Sequence, residues 1–108
     1  MLRVRSVDKM RSVINDLKRK KKRIGFVPTM GFLHEGHRSL LKKCKKDNAI
    51  SVLSIFVNPK QFSANEDFAS YPRDEKKDEI LAKKEKVDII LYPSIKEMYS
   101  DGYKTYVE

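Results

Sequence analysis

Apolar residues recur along this chain in two rhythms, one at helical spacing and one in short unbroken runs, and their alternation predicts the elements. Val7, Met10, Ile14 and Leu17 form one stripe of helical period, with Ser6 as a candidate N-cap and Asp8 in the first turn. A helix is therefore expected from there to about Lys20. Arg23 to Val27 follows as a strand, its apolar run from Ile24 closed by Pro28, which has no N–H for a sheet ladder. Leu40, Leu41 and Cys44 mark the buried face of a helix over 36–47 that ends near Asp47 and Asn48. Ala49 to Val57 is apolar and rich in β-branched residues, as suits a parallel strand covered on both faces.

The second half is more charged. Pro72 suits a first helical position, and a helix with acids early and lysines late is expected over 74–86. Ile80, Leu81 and Ala82, with the lysine stems, would supply its buried face, which makes it an outer, partly detachable helix. Val87 to Tyr92 reads as a third strand closed by Pro93; Ser94 and Glu97 form a capping box for a further turn, Gly102 breaks it, and Thr105-Tyr106-Val107 begins another extended segment.

Strands alternating with helices predict an α/β fold, a Rossmann-like parallel sheet with flanking helices. Ligands of such sheets bind outside the carboxyl ends of the strands. Two loops leave that edge, Thr29 to His37 and Asn58 to Asn65, and are expected to face one pocket. Gly31 and Gly36 give the first loop its backbone freedom. If a helix starts near Glu35, His34 and His37 stand three apart above the amides of its first turn, a ready anion site. A glycine-rich dinucleotide fingerprint and a Lys-Ser or Lys-Thr phosphate loop are both absent. The histidine pair must then carry any triphosphate contact, as donors where charge gathers on a leaving pyrophosphate.

Composition narrows the picture. The 108 residues, 40% hydrophobic, suit one domain with a modest core. The longest apolar run, Ile50 to Val57, falls far short of the ~20 residues of a membrane helix, no secretory signal precedes it, and no membrane partner is expected. Cys44 is the single cysteine, which excludes an internal disulfide or a four-cysteine zinc site; it reads as a core residue, and a reducing cytoplasm as the compartment. The net charge of +9 is local: Met1 to Arg23 holds ten Lys and Arg against two Asp, the rest fourteen against thirteen. The run Lys18 to Arg23 could be a nucleic-acid patch, but it ends an amphipathic helix, where cations complement the dipole, and carries no aromatic residue to stack on bases. A solvated helix end is the preferred reading, with no nucleic-acid partner.

Four further stretches place the histidine pattern in context. Phe26-Val27-Pro28-Thr29-Met30-Gly31 precedes it; Ser54-Ile55-Phe56-Val57-Asn58-Pro59-Lys60-Gln61-Phe62, Tyr71-Pro72-Arg73, and Pro93-Ser94 with Glu97-Met98-Tyr99 follow. In order and spacing these resemble the pantothenate synthetase family, nucleotidyl transferases that share the His-x-Gly-His element with class I aminoacyl-tRNA synthetases. The resemblance implies an ATP-dependent, AMP-forming ligation of pantoate to β-alanine through a pantoyl adenylate, with magnesium accompanying ATP. By it, Met30, Gly31, Phe32, Leu33, His34, Glu35, Gly36 and His37 form the ATP segment. His34 and His37 lie at the phosphates, and His37 holds the position usually assigned as proton donor. Gln61 matches the glutamine that holds pantoate or β-alanine, and Met30 a residue packed on the same substrate. Asn58 reads as a turn residue. Arg73 could point at substrate phosphate or merely sit at a helix start.

The family pattern continues past Glu108 with further strands and a smaller C-terminal domain. The expectation is therefore that 1–108 is the N-terminal part of a nucleotide-binding domain, apparently truncated, with the C-terminal domain absent. A homodimer or self-association is expected. Two other readings stay open: a noncatalytic nucleotide- or pantoate-binding fragment, and a small basic nucleic-acid-binding protein.

Overall fold

A computed structural model describes residues 1–62 and 68–94 of the chain. The first helix, α1 (Val7–Arg19), starts where Ser6 predicts: its hydroxyl accepts the Lys9 N–H at 2.9 Å, a cap worth about 1 kcal/mol. Before it lies a strand that periodicity did not reveal, β1 (Leu2–Val4), too short to show alternation. Then come β2 (Ile24–Thr29), α2 (Glu35–Asp47), β3 (Ile50–Ile55), α3 (Glu75–Lys84) and β4 (Ile89–Leu91), with 3-10 turns at Pro59–Gln61 and Phe68–Ser70.

All pairings are parallel, in the order β1-β4-β3-β2, so the α/β reading holds. Strand alternation divides the core between two faces. Val4, Ile24, Ile50, Val52, Ile89 and Leu91 meet Met10, Val13, Ile14 and Leu17 of α1. Val27, Leu53, Ile55, Ile90 and Tyr92 meet Leu41 of α2, Leu81 and Ala82 of α3, and Leu33. Leu41, Leu53 and Ile90 are at most 1% exposed, each worth about 1.5–3 kcal/mol of burial. Gly25 lets α2 sit close on β2, because a Cβ there would lie 2.5 Å from Cys44 Sγ.

Several boundaries differ from expectation. β2 runs through Pro28 to Thr29 because it is an edge strand, where the missing N–H is tolerated. β3 stops at Ile55 rather than Val57. Pro72 lies before α3, whose N-cap is Asp74, accepting the Lys77 N–H at 3.1 Å. Leu40 is 56% and Ile80 53% exposed, so neither belongs to the face assigned to it. α3 instead turns Asp78, Ala82 and Glu85 inward. Its outward charge is as expected, but it is pinned: Arg38 of α2 binds the buried Glu85 carboxylate at 2.8 Å. The capping box with Glu97, the Glu97-Met98-Tyr99 motif, Gly102 and Thr105 to Val107 lie outside the described residues.

Candidate functional site

At the carboxyl edge of the sheet the chain leaves β2 under tight control. The Thr29 hydroxyl donates to the Ser54 carbonyl at 3.0 Å and accepts the Gly31 N–H at 3.2 Å, while the Phe56 N–H donates to the Thr29 carbonyl at 2.9 Å. Two consecutive left-handed residues, Gly31 (φ 83) and Phe32 (φ 54), then reverse the chain. Leu33 drops into the core at 7% exposure and Phe32 stays half exposed. A Cβ on Gly31 would lie 2.9 Å from Ile55 Cγ2, so glycine is required there by space as well as by φ.

His34 is the N-cap of α2, and both imidazoles cap it. His34 Nδ1 accepts the Gly36 N–H at 3.1 Å, and His37 Nδ1 accepts the His34 N–H at 3.1 Å, a capping box built from two rings 4.2 Å apart. A nitrogen that accepts a backbone N–H carries no proton, so each neutral ring is the Nε2–H tautomer. Burial and the neighbouring His34 push the His37 pKa below its ordinary value, with the Asp78 carboxylate opposing them. The cap thus sets both rings, when neutral, as Nε2–H donors at a helix N-terminus.

Beside this segment lies a cleft of about 560 Å³ at the carboxyl ends of β2, β3 and β4. Met30 and Gly31 line it, as do Phe56 and Val57 after β3, Tyr92 after β4, and Arg73 to Glu75 at the start of α3. Of the two expected loops only the first supplies described lining residues, Met30 and Gly31; on the β3 side the cleft is lined by Phe56 and Val57, which precede the second loop, and not by Asn58, Pro59 or Lys60. His34 and His37 are not among the lining residues: the rings turn back onto the end of their own helix, at the far end of the same segment. Gln61 closes the 3-10 turn Pro59–Gln61, and its side chain lies outside the described part of the structure, as do residues 63–67. Asn58 caps that turn by accepting the Lys60 N–H at 2.9 Å. Arg73 reaches the carbonyls of Tyr71 at 2.8 Å and Ala69 at 3.3 Å.

Sequence reasoning missed three contributors. Arg5, which follows the unforeseen β1, lies 4.4 Å from the centre of the Tyr92 ring and pairs with Glu75 at 2.8 Å. The Tyr92 hydroxyl donates to Glu79, which also accepts from Arg3 at 2.7 Å; burial and this carboxylate push the phenol's pKa up. Asp78 takes the Phe32 and Leu33 amides. Only its spacing from Ala82 and Glu85 hinted at burial, among neighbours as charged as itself.

The family model described as pantoate-beta-alanine ligase matches residues 3–108. A pantothenate synthetase of Sulfurihydrogenibium sp. is 61% identical over 92% of this chain and 35% of its own length. That of Caldicellulosiruptor saccharolyticus is 54% identical over 99% of this chain and 38% of its own. Among solved structures, the pantothenate synthetase of Thermus thermophilus superposes with a TM-score of 0.85 at 39% identity, over 100% of this chain and 37% of that one. The pantoate-beta-alanine ligase of Francisella tularensis, complexed with beta-gamma ATP and beta-alanine, gives 0.87 at 41% identity, over 100% of this chain and 41% of that one. The chain spans little more than a third of the length of the relatives it matches.

Proposed function

The chain belongs to the pantoate–β-alanine ligase family, and from that membership we propose that its 108 residues are the N-terminal part of a nucleotide-binding domain for ATP-dependent pantothenate formation. The observation that carries the reading is the segment Met30 to His37, which starts in the cleft and ends on two imidazoles that cap the N-terminus of α2. The adenylation it serves needs two things in one place. An acid substrate must be held in line with an α-phosphate, and donors must wait where the pyrophosphate leaves.

In the reaction, a pantoate carboxylate oxygen attacks the α-phosphorus of ATP and the bond to the bridging oxygen breaks, releasing pyrophosphate. The β-alanine amine then attacks the acyl carbon of the pantoyl adenylate, loses a proton and expels AMP. By this reading Met30 packs against pantoate, and Gln61 is the residue assigned to pantoate or β-alanine. The Nε2–H groups of His34 and His37, with the α2 dipole behind them, stabilise negative charge on the phosphates. Since the geometry favours neutral rings, charge stabilisation rather than proton donation accounts for them. Magnesium arrives on ATP as part of the substrate; among the described residues no cluster of three His, Cys, Asp or Glu side chains is built to hold it. A reducing cytoplasm fits such a biosynthetic enzyme and the free Cys44.

The cleft is open to water, where donors act through a high dielectric. The 108-residue polypeptide alone, incubated with ATP, pantoate, β-alanine and magnesium, is expected to form no pantothenate or AMP while binding ATP weakly, and His37→Ala should abolish that binding. Turnover that depends on His37 would show the chain to be sufficient by itself. ATP binding indifferent to both histidines would remove them from the site. In a complete enzyme built on this segment, His34→Ala or His37→Ala should slow adenylate formation by about 10²-fold or more.

A further inference from the structure

Asp78 is an acid that neither the capping of α2 nor the adenylation chemistry uses. It is 3% exposed on a helix whose other charges mostly face water. The other buried acid nearby, Glu85 at the C-cap of α3, sits against the Arg38 guanidinium. Asp78 spends its two oxygens on consecutive backbone amides of another element: Oδ2 accepts the Phe32 N–H at 2.9 Å and Oδ1 accepts the Leu33 N–H at 2.7 Å. Bonds to an ionised acceptor are about twice as strong as neutral ones, and the N-terminal half of α3 favours the charge.

What the carboxylate grips is the strained point of the segment. Phe32 holds φ 54 without being glycine, a conformation that costs about 1–2 kcal/mol and persists only where the surroundings impose it. Gly31 leaves room for the grip, since a Cβ there would stand 3.2 Å from Asp78 Oδ2. Met30 and Gly31 lie on the cleft side of this bend and the His34 cap on the other. If the bend relaxes, the two halves lose their fixed relation.

We propose that Asp78 is the positioning residue of the ATP segment, its carboxylate clamping the Phe32 and Leu33 amides so that the cleft and the histidine pair keep one geometry. The proposal rests on reading Met30 to His37 as the ATP segment. Asp78 also stands among the residues lining the cleft, but both of its oxygens are taken by the loop amides, so it acts on substrate through the loop. The charge also reaches His37, where it works against the two influences that keep that ring neutral.

Asp78→Asn keeps the shape but places an NH₂ group against a backbone donor. In this variant of the 108-residue chain, hydrogen exchange at the Phe32 and Leu33 amides should speed up at least about 10-fold while β3 and β4 amides keep their rates. ATP affinity should fall by about 10-fold, and the His37 ring, read by NMR, should titrate at lower pH. Phe32→Gly removes the strain, so Asp78→Asn should cost less ATP affinity in that background, a coupling that a packing role for Asp78 would not produce. Unchanged loop exchange, or an equal acceleration throughout β3 and β4, would overturn the clamp. Should Asp78→Asn not fold, Gly31→Ala probes the same contact from the loop side, and protected Phe32 and Leu33 amides in that variant would overturn it too. If the parent chain binds no ATP yet Asp78→Asn frees only these two amides, the clamp stands and the ATP reading falls.

Discussion

His34 and His37 do two jobs with their two nitrogens, and protonation sets the jobs against each other. A proton on Nδ1 turns an acceptor into a donor facing a backbone donor, so an imidazolium cannot cap α2 in the observed way. The His37 pKa is lowered in the folded chain from 6.5, by burial and by His34, with Asp78 opposing. Between the lowered value and 6.5 the unfolded chain binds the extra proton, so stability falls as pH drops through that window and is flat above it. Urea unfolding across this range should show the decline, with the amides of His34 and Gly36 exchanging faster in step. His37→Gln should remove the pH dependence, and a pH-independent parent would show that the rings do not cap in solution. The spacing of the two histidines was legible in the sequence. Their tautomer was not, because it depends on where two backbone N–H groups point. Asp78 was still less visible, since an acid that binds amides reads like any solvated acid until the partner loop is seen.

Among the elements, the start of α1 was easy to read, whereas the way α1 and α3 end was not. Ser6 announces α1 through its hydroxyl, whereas α1 and α3 both stop in Schellman turns with lysine where glycine is usual. The Lys22 N–H reaches the Leu17 carbonyl and Lys21 that of Lys18; likewise Val87 reaches Ala82 and Lys86 reaches Lys83. Lys21 (φ 57) and Lys86 (φ 60) accept the left-handed conformation that closes each turn. Lys21→Gly and Lys86→Gly should each stabilise the chain, by about 1 kcal/mol or somewhat less after the entropy of glycine is offset. A rise of a few degrees in melting temperature would show it, and a fall would mean that the lysine charge at the helix end outweighs its backbone strain. The face of α3 misled for a related reason: Ile80 suggested burial by type, but the helix is oriented by Asp78, Ala82 and Glu85, and two of those three are acids. β1 escaped because three residues carry no period, and its place beside β4 is set by partners far along the chain.

For the whole molecule, the parallel α/β order was readable because β3 and β4 are apolar on both sides and lie between helical stretches, but which strands form the edges depends on long-range pairing. β1 and β2 stand at opposite ends of the sheet, and α1 connects them across one face. β1 is short and tied by its Arg3 to Glu79 and, just past its end, by Arg5 to Glu75. β2 is longer, pairs only with β3 among the described residues, and presents Phe26 at 55% exposure. Such an edge is a template for another strand. Two features oppose that pairing: Pro28 lacks a donor, and the basic run Lys18 to Arg23 leads straight into the strand of a chain with net charge +9. Charge repulsion between copies is long-ranged and screened by salt, while strand pairing and Phe26 burial act at contact. The 108-residue chain is therefore expected to be largely monomeric at low ionic strength and to self-associate as salt is raised. Phe26→Lys should suppress the association at every salt concentration, and exchange at the β2 amides should slow in the associated form. Sedimentation velocity across a salt series decides it: association that weakens with salt, or that ignores Phe26→Lys, would place the contact on a charged surface elsewhere.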